Sequence, residues 1–199
     1  MKQTIGLITI VAVIGLSLLT VACGSTTAIV SSAYVTADSV EDLASRSSVV
    51  VIGTVTSAKP ERLEIPGELP GNPGKPDPNY TGVARVYEIE VERYMKGAEG
   101  STLQVVQFEG SIVSIGGQVR EVQWKSAGYP LTTGTRYLLF LIPQGQVPDL
   151  WLGTAQPFRF TLSDGLAKAE SPHGRIEELF PDRLESDFVS DVETVINGG

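Results

Sequence analysis

Val83-Ala84-Arg85-Val86-Tyr87-Glu88-Ile89-Glu90-Val91-Glu92 alternates so regularly that it sets the fold class of the chain. Val83, Arg85, Tyr87, Ile89 and Val91 fall on one side, and Glu88, Glu90 and Glu92 on the other. Successive side chains of a strand point to opposite faces, so this period of two predicts a strand with its apolar set on a core and its carboxylates in water. Lys96-Gly97 and Glu99-Gly100 then supply a turn, and Leu103–Phe108 reads as the next strand.

Strand patterns continue on both sides of this segment. Upstream, Val49-Val50-Val51-Ile52-Gly53-Thr54-Val55-Thr56 is a β-branched run, and the glycine inside it predicts a bulge or a tight bend. Downstream, Ile112–Ile115 and Val119–Trp124 flank Gly116-Gly117 as a hairpin. Tyr137-Leu138-Leu139-Phe140-Leu141-Ile142 is apolar on both faces, as a central strand covered on both sides requires. Ser163-Asp164-Gly165 joins a further hairpin, Phe158–Leu162 to Leu166–Ala169. A short helix is expected from Ser39, its N-cap, with Glu41 and Asp42 in the first turn. Asp182 with Glu185 resembles a capping box, and Leu184, Phe188, Val192 and Val195 keep helical spacing to a stop at Asn197-Gly198-Gly199.

Residues 59–80 hold six of the twelve prolines, and that density predicts a long exposed loop between two strands. The fold class expected is mainly β: a small closed barrel of the OB type with five to seven strands, a short N-terminal helix and a C-terminal helix. Short strands of uneven spacing favour a barrel over a two-sheet sandwich.

The N-terminus carries a different message. Lys2 precedes an apolar run from Ile5 to Val21, and Leu19-Thr20-Val21-Ala22-Cys23-Gly24 follows. A positive start, a short apolar core and a small residue before the cut make a secretory signal. Cys23 is the sole cysteine of the chain, and it stands where the cut would fall. The arrangement resembles the lipobox of bacterial lipoproteins, whose cysteine takes a diacylglyceryl group and becomes the mature N-terminus. An ordinary signal has no need of that cysteine, and the apolar run is short for a membrane span. Residues 1–22 are thus expected to be a lipoprotein signal peptide, 23–37 a flexible tether, and 38–199 the β-barrel domain.

Losing residues 1–22 removes Lys2 and no acid, which leaves 14 Lys and Arg against 23 Asp and Glu, a formal charge of −9 on 177 residues. Such acidity excludes nucleic acid as a partner and excludes electrostatic adhesion to anionic lipid. Membrane attachment then falls to the lipid on Cys23, and two acyl chains suffice where one holds only marginally. One His and one Cys are too few to assemble a zinc site of the usual His/Cys type. No cofactor and no metal are expected.

Three segments in order resemble the netrin-like module, the OB-type barrel of tissue inhibitors of metalloproteinases. They are Ser48-Val49-Val50-Val51-Ile52-Gly53-Thr54-Val55, then Val86-Tyr87-Glu88-Ile89-Glu90-Val91 leading to Met95-Lys96-Gly97, and then Gly134-Thr135-Arg136-Tyr137-Leu138-Leu139-Phe140-Leu141. The resemblance covers roughly 38–145 and implies the fold. The family's inhibitory mechanism needs a free N-terminal cysteine held by disulfides, and this chain has neither, so inhibition does not carry over.

The remaining candidates are binding residues. Trp124, Tyr129 and Trp151 lie in or beside turn-rich segments, where aromatics stack on sugar rings, anchor a protein, or fill a barrel core. Leu63, Ile65 and Leu69 are the large apolar residues of the proline-rich segment and are expected to meet a partner. Glu88, Glu90 and Glu92 make a carboxylate ladder, the ordinary solvated side of an amphipathic strand. His173 as general base for Ser171 or a distant Ser, with one of the acids, is the set from which a weak hydrolase would be built, and no G-x-S-x-G elbow accompanies it. The expectation is a lipid-anchored, non-catalytic binding domain on the extracytoplasmic face of the cell membrane, with a protein or glycan partner. The alternatives are a Ser/His hydrolase and a structural envelope lipoprotein.

Overall fold

A computed structural model describes residues 28–30, 35–60, 62–69, 72–97, 99–124, 129–171 and 175–198. Cys23 and His173 lie outside the described residues. The chain is mainly β, with the expected helices near both ends. Its strands are β1 (Ala28–Val30), β2 (Val49–Ala58), β3 (Leu63–Leu69), β4 (Asn72–Lys96), β5 (Thr102–Ile115), β6 (Gln118–Trp124), β7 (Arg136–Pro143), β8 (Leu150–Gly153), β9 (Arg159–Ser163), β10 (Leu166–Ala169) and β11 (Arg183–Leu184). The helices are α1 (Val40–Arg46), α2 (Ile176–Leu179) and α3 (Glu185–Gly198).

All eleven strands among the described residues belong to one hydrogen-bonded sheet. Five of them pair in a circuit. β2 pairs with β4 and with β7, β4 with β5, and β7 with β8, all antiparallel. β8 then returns to β5 as a parallel neighbour. The count exceeds the five to seven strands expected because strands are added outside this circuit. β9, β10 and β11 extend from β7, while β3, β6 and β1 extend the distal halves of β4 and β5.

The largest correction concerns residues 59–80, which are not a loop. Leu63–Leu69 is β3, and Asn72–Tyr80 is the start of a 25-residue β4. The prolines are tolerated because of where they stand. β3 pairs only with β4, and β5 joins the other edge of β4 only from Tyr80 onward. A proline without N–H is harmless on an edge that donates to nothing, and Pro66 sits beside a register shift. Proline density breaks central strands, not edge ribbons.

The tether expectation for 23–37 also changes at its distal end. Ala28–Val30 pairs in parallel with Val122–Trp124, and Ala37 is buried. Its amide donates to the Gln156 carbonyl at 2.9 Å, and the Gln156 amide donates to the Val35 carbonyl at 2.8 Å.

The apolar patterns place three cores. Val49, Val51, Val55, Tyr87, Ile89, Tyr137, Leu139 and Leu141 meet inside the circuit. Val50, Ile52, Leu138 and Phe140 point the other way, under α1 and α3, where Leu43, Phe188 and Val192 cover them. β2 and β7 are therefore buried on both faces, as the sequence predicted for β7. The third core, Ile65, Ala84, Val86, Val106 and Leu150, lies outside the circuit between β3, β4, β5 and β8. It corrects the simple alternation of β4, whose second face is wet at Glu90 and Glu92 but dry at Val86.

Ser39 caps α1 as expected, its Oγ accepting from the Asp42 amide at 3.2 Å. Asp182 does not cap α3. It faces Lys168 at 3.3 Å, and Leu184 belongs to β11 with its side chain in solvent.

Candidate functional site

Where β5, β6 and β8 meet the chain that follows each of them, a cavity of about 240 Å³ opens. Phe108 from β5 and Trp124 from β6 form one wall, their ring centroids 5.7 Å apart and tilted by 34°. Adjacent strands bring them together, since Gly110 pairs with Gln123 just beyond Phe108. Tyr129 stands at the rim, 42% exposed, and Leu152, Phe158 and Val35 complete the apolar lining.

Three polar side chains are sunk into this apolar wall: Gln107, Gln156 and Arg159. Arg159 is only 2% exposed. Its Nη2 donates to the Tyr129 carbonyl at 2.6 Å and its Nη1 to Gln107 Oε1 at 3.3 Å. Gln107 Nε2 donates to the same Tyr129 carbonyl at 2.7 Å. Two donors on one carbonyl fix the backbone that presents the Tyr129 ring. Arg159 Nε lies 3.1 Å from Glu170 Oε2, an ion pair whose direction falls outside hydrogen-bond geometry. Burial pulls the guanidinium pKa down, and the Glu170 charge opposes that pull. The guanidinium also lies 5.5 Å from the Phe158 ring centroid. Gln156 is 7% exposed, and its Oε1 is a buried acceptor without a hydrogen-bond partner. A buried amide oxygen in that state is costly unless a donor reaches it.

Of the residues singled out by sequence, Trp124 and Tyr129 converge on this cavity. Trp151 does not. It alternates with Leu152 on β8 and packs half-buried against the interior of the circuit, beside Tyr94 and Leu103. Ile65 is 3% exposed in the third core, and Leu63 packs half-buried against the same core. Ile65 is thus a core residue where partner contact was expected, and Leu63 keeps part of its surface in solvent. Leu69 pairs through its backbone with Asn72, and its side chain lies outside the description. The carboxylate ladder is partly engaged: Glu92 accepts from Arg136 Nε at 2.8 Å and from Thr54 Oγ1 at 3.3 Å. Among the described residues no cluster of three His, Cys, Asp or Glu is placed to hold a metal ion.

Sequence reasoning missed Phe108, Gln107, Gln156, Phe158 and Arg159. One signal for Arg159 was present, a lone cation between Phe158 and Phe160 in a strand otherwise fit for a core. Nothing in the pattern marked Gln107, which looks like any polar residue of an alternating strand.

No family model matches the chain, and no curated protein matches it. Among the described residues no helix is long and apolar enough to cross a membrane.

Proposed function

We propose that this protein is a lipid-anchored, non-catalytic binding domain on the extracytoplasmic face of a bacterial membrane, with Cys23 as its lipid attachment site. Its body is a closed five-strand barrel of the OB type. The circuit β2–β4–β5–β8–β7 with its parallel β5–β8 contact supports that reading. The ligand is one group of a protein or glycan partner, taken into the cavity beside Trp124 and Tyr129.

The observation that carries this reading is a nearly fully buried guanidinium at the base of an aromatic-walled cavity. Ligand sites are mostly apolar concavities with a few fixed polar groups, and this one follows that plan. At about 240 Å³ the cavity suits a single side chain or sugar ring better than an extended molecule. Aromatic walls stack on either, and Gln156 Oε1 accepts a hydroxyl or amide hydrogen.

The test is affinity capture from detergent-solubilised membranes with the full lipidated chain, read by mass spectrometry for proteins and glycans. An aromatic anchor at a hot spot is worth about 2 kcal/mol, or roughly 25-fold in affinity. Trp124→Ala with Tyr129→Ala therefore loses the partner, while Trp151→Phe keeps it. Equal capture by all three chains contradicts the assignment of the cavity.

A further inference from the structure

The two most exposed large apolar side chains among the described residues flank a single turn. Ile115 is 69% and Val119 is 72% exposed, one on each side of Gly116-Gly117 at the end of the β5–β6 hairpin. Both glycines have positive φ, 59° and 79°, which gives the tight turn a twisted ribbon requires. From Gly110 to Val119 the chain carries no charge, although the protein as a whole is strongly acidic. The first charge after the tip is cationic, Arg120. Such a tip is ill suited to water, and among the described residues nothing covers it.

The direction of β1 says what lies beside it. β1 runs parallel to β6, with Ala28 opposite Val122 and Val30 opposite Trp124. The chain therefore enters β1 from the side of Gln118, where the hairpin tip stands. Four residues of strand separate Val122 from Gln118, or roughly 13 Å. The five residues from Cys23 to Ala28 reach at most about 17 Å. That reach covers the distance to the tip.

From these observations we infer that the β5–β6 hairpin tip is a second membrane contact, with Ile115 and Val119 inserted into the lipid bilayer that holds Cys23. The inference rests on the lipid-anchor reading and adds an orientation to it. An uncharged apolar tip enters the interface without desolvating an ion, and Arg120 behind it meets phosphate groups at headgroup level. One lipidated cysteine alone leaves the domain free to tumble; a second contact fixes which side faces outward.

The test uses the full lipidated protein. Cys23 is acylated, so a second cysteine is the sole free thiol and takes an environment-sensitive fluorophore. Three chains are made: Ile115→Cys, Val119→Cys, and Ser101→Cys at the opposite end of β5, roughly 45 Å of strand away. Each is reconstituted into phosphatidylcholine vesicles with and without a phosphatidylcholine that carries a nitroxide on its acyl chain. Mass spectrometry of the N-terminal peptide reads the lipid on Cys23 independently of the label. The expected result is a blue-shifted emission at positions 115 and 119 that the nitroxide lipid quenches, with neither effect at 101. Lipidated chains whose tip labels stay as solvated as the label at 101, or labels quenched equally at all three positions, overturn the inference and leave the anchor standing. Absence of the lipid from Cys23 removes both.

Discussion

Arg159 donates to the Tyr129 carbonyl and to Gln107, and it faces Glu170, all from a position nearly sealed from solvent. Arg159→Ala removes those donors and leaves a void behind Phe158. Truncating a large side chain in a packed interior costs about 2 kcal/mol or more, so urea denaturation is expected to show a loss of about that size. Arg93→Ala is the contrast. Its pair with Glu193 at 2.6 Å is exposed on both sides, and such surface pairs are worth about 0–1 kcal/mol. A second residue-scale expectation concerns alkaline pH. Tyr87 is buried inside the circuit, and burial, followed by the Glu109 charge, raises its phenol pKa above the ordinary 10.0. The folded state thus favours the neutral phenol. Its contribution is whole below the unfolded pKa of about 10 and disappears as pH rises through the higher folded value. Tyr87→Phe is expected to flatten that alkaline fall, followed by thermal melts across the range. At this scale Trp124 and Tyr129 were legible, because aromatics beside turns announce themselves. Arg159 showed only as a lone cation between two phenylalanines, and Gln107 not at all, since a polar residue buried by its partners looks in sequence like one exposed to water.

Gly53 shows what a strand element demands of one position. A Cβ there would stand 2.6 Å from the Glu90 carbonyl oxygen and 2.7 Å from Ile89 Cγ2, and the β2–β4 register shifts between Ile52 and Gly53. The bulge predicted from that glycine is present. Gly53→Val forces two backbones apart and is expected to cost about 2 kcal/mol, within the range for overpacked cores. The two faces of β4 give a sharper comparison. Ile89→Asp puts a carboxylate into the interior core and costs several kcal/mol, whereas Glu90→Lys on the exposed side moves stability by less than about 0.5 kcal/mol. Equal costs in chemical denaturation mean that the register of β4 is wrong. The same reasoning reverses an expectation for the proline-rich segment. Replacing residues 62–78 by a short flexible link removes β3 and withdraws Ile65 from Val86 and Val106. Melting should drop by several degrees, as it would for a lost core side chain, and unchanged melting would mean that β3 packs on nothing. β4 and β7 were readable from period and apolarity alone. β3 was hidden because its strand character depends on being an edge, and edge status is a property of the sheet and not of the segment.

Across the whole molecule, β4 and β5 do two jobs along their length. Their proximal halves belong to the five-strand circuit, and their distal halves carry β3, β6 and β1 as an arm. The cavity lies where circuit and arm diverge, so Phe108 and Trp124 come from the arm, while Phe158 and Arg159 come from the start of β9, which flanks the circuit on β7. That juxtaposition joins residues as far apart in the chain as Val35 and Arg159, and no local pattern encodes it. The mainly β character and the β5–β6 hairpin of the arm were readable from the sequence, but the β3–β4 part of the arm was not, because the prolines of 59–80 mask its strands. The central claim is that a partner occupies this cavity on the outward-facing domain. Photo-cross-linking in intact cells tests it most directly, with benzoyl-phenylalanine placed at Tyr129 or, as a control, at the exposed Glu178 of α2. One discrete adduct is expected from Tyr129, absent from Glu178 and lost when Trp124→Ala is added to the same chain. No adduct from Tyr129, the same products from both positions, or an adduct that survives Trp124→Ala would contradict it.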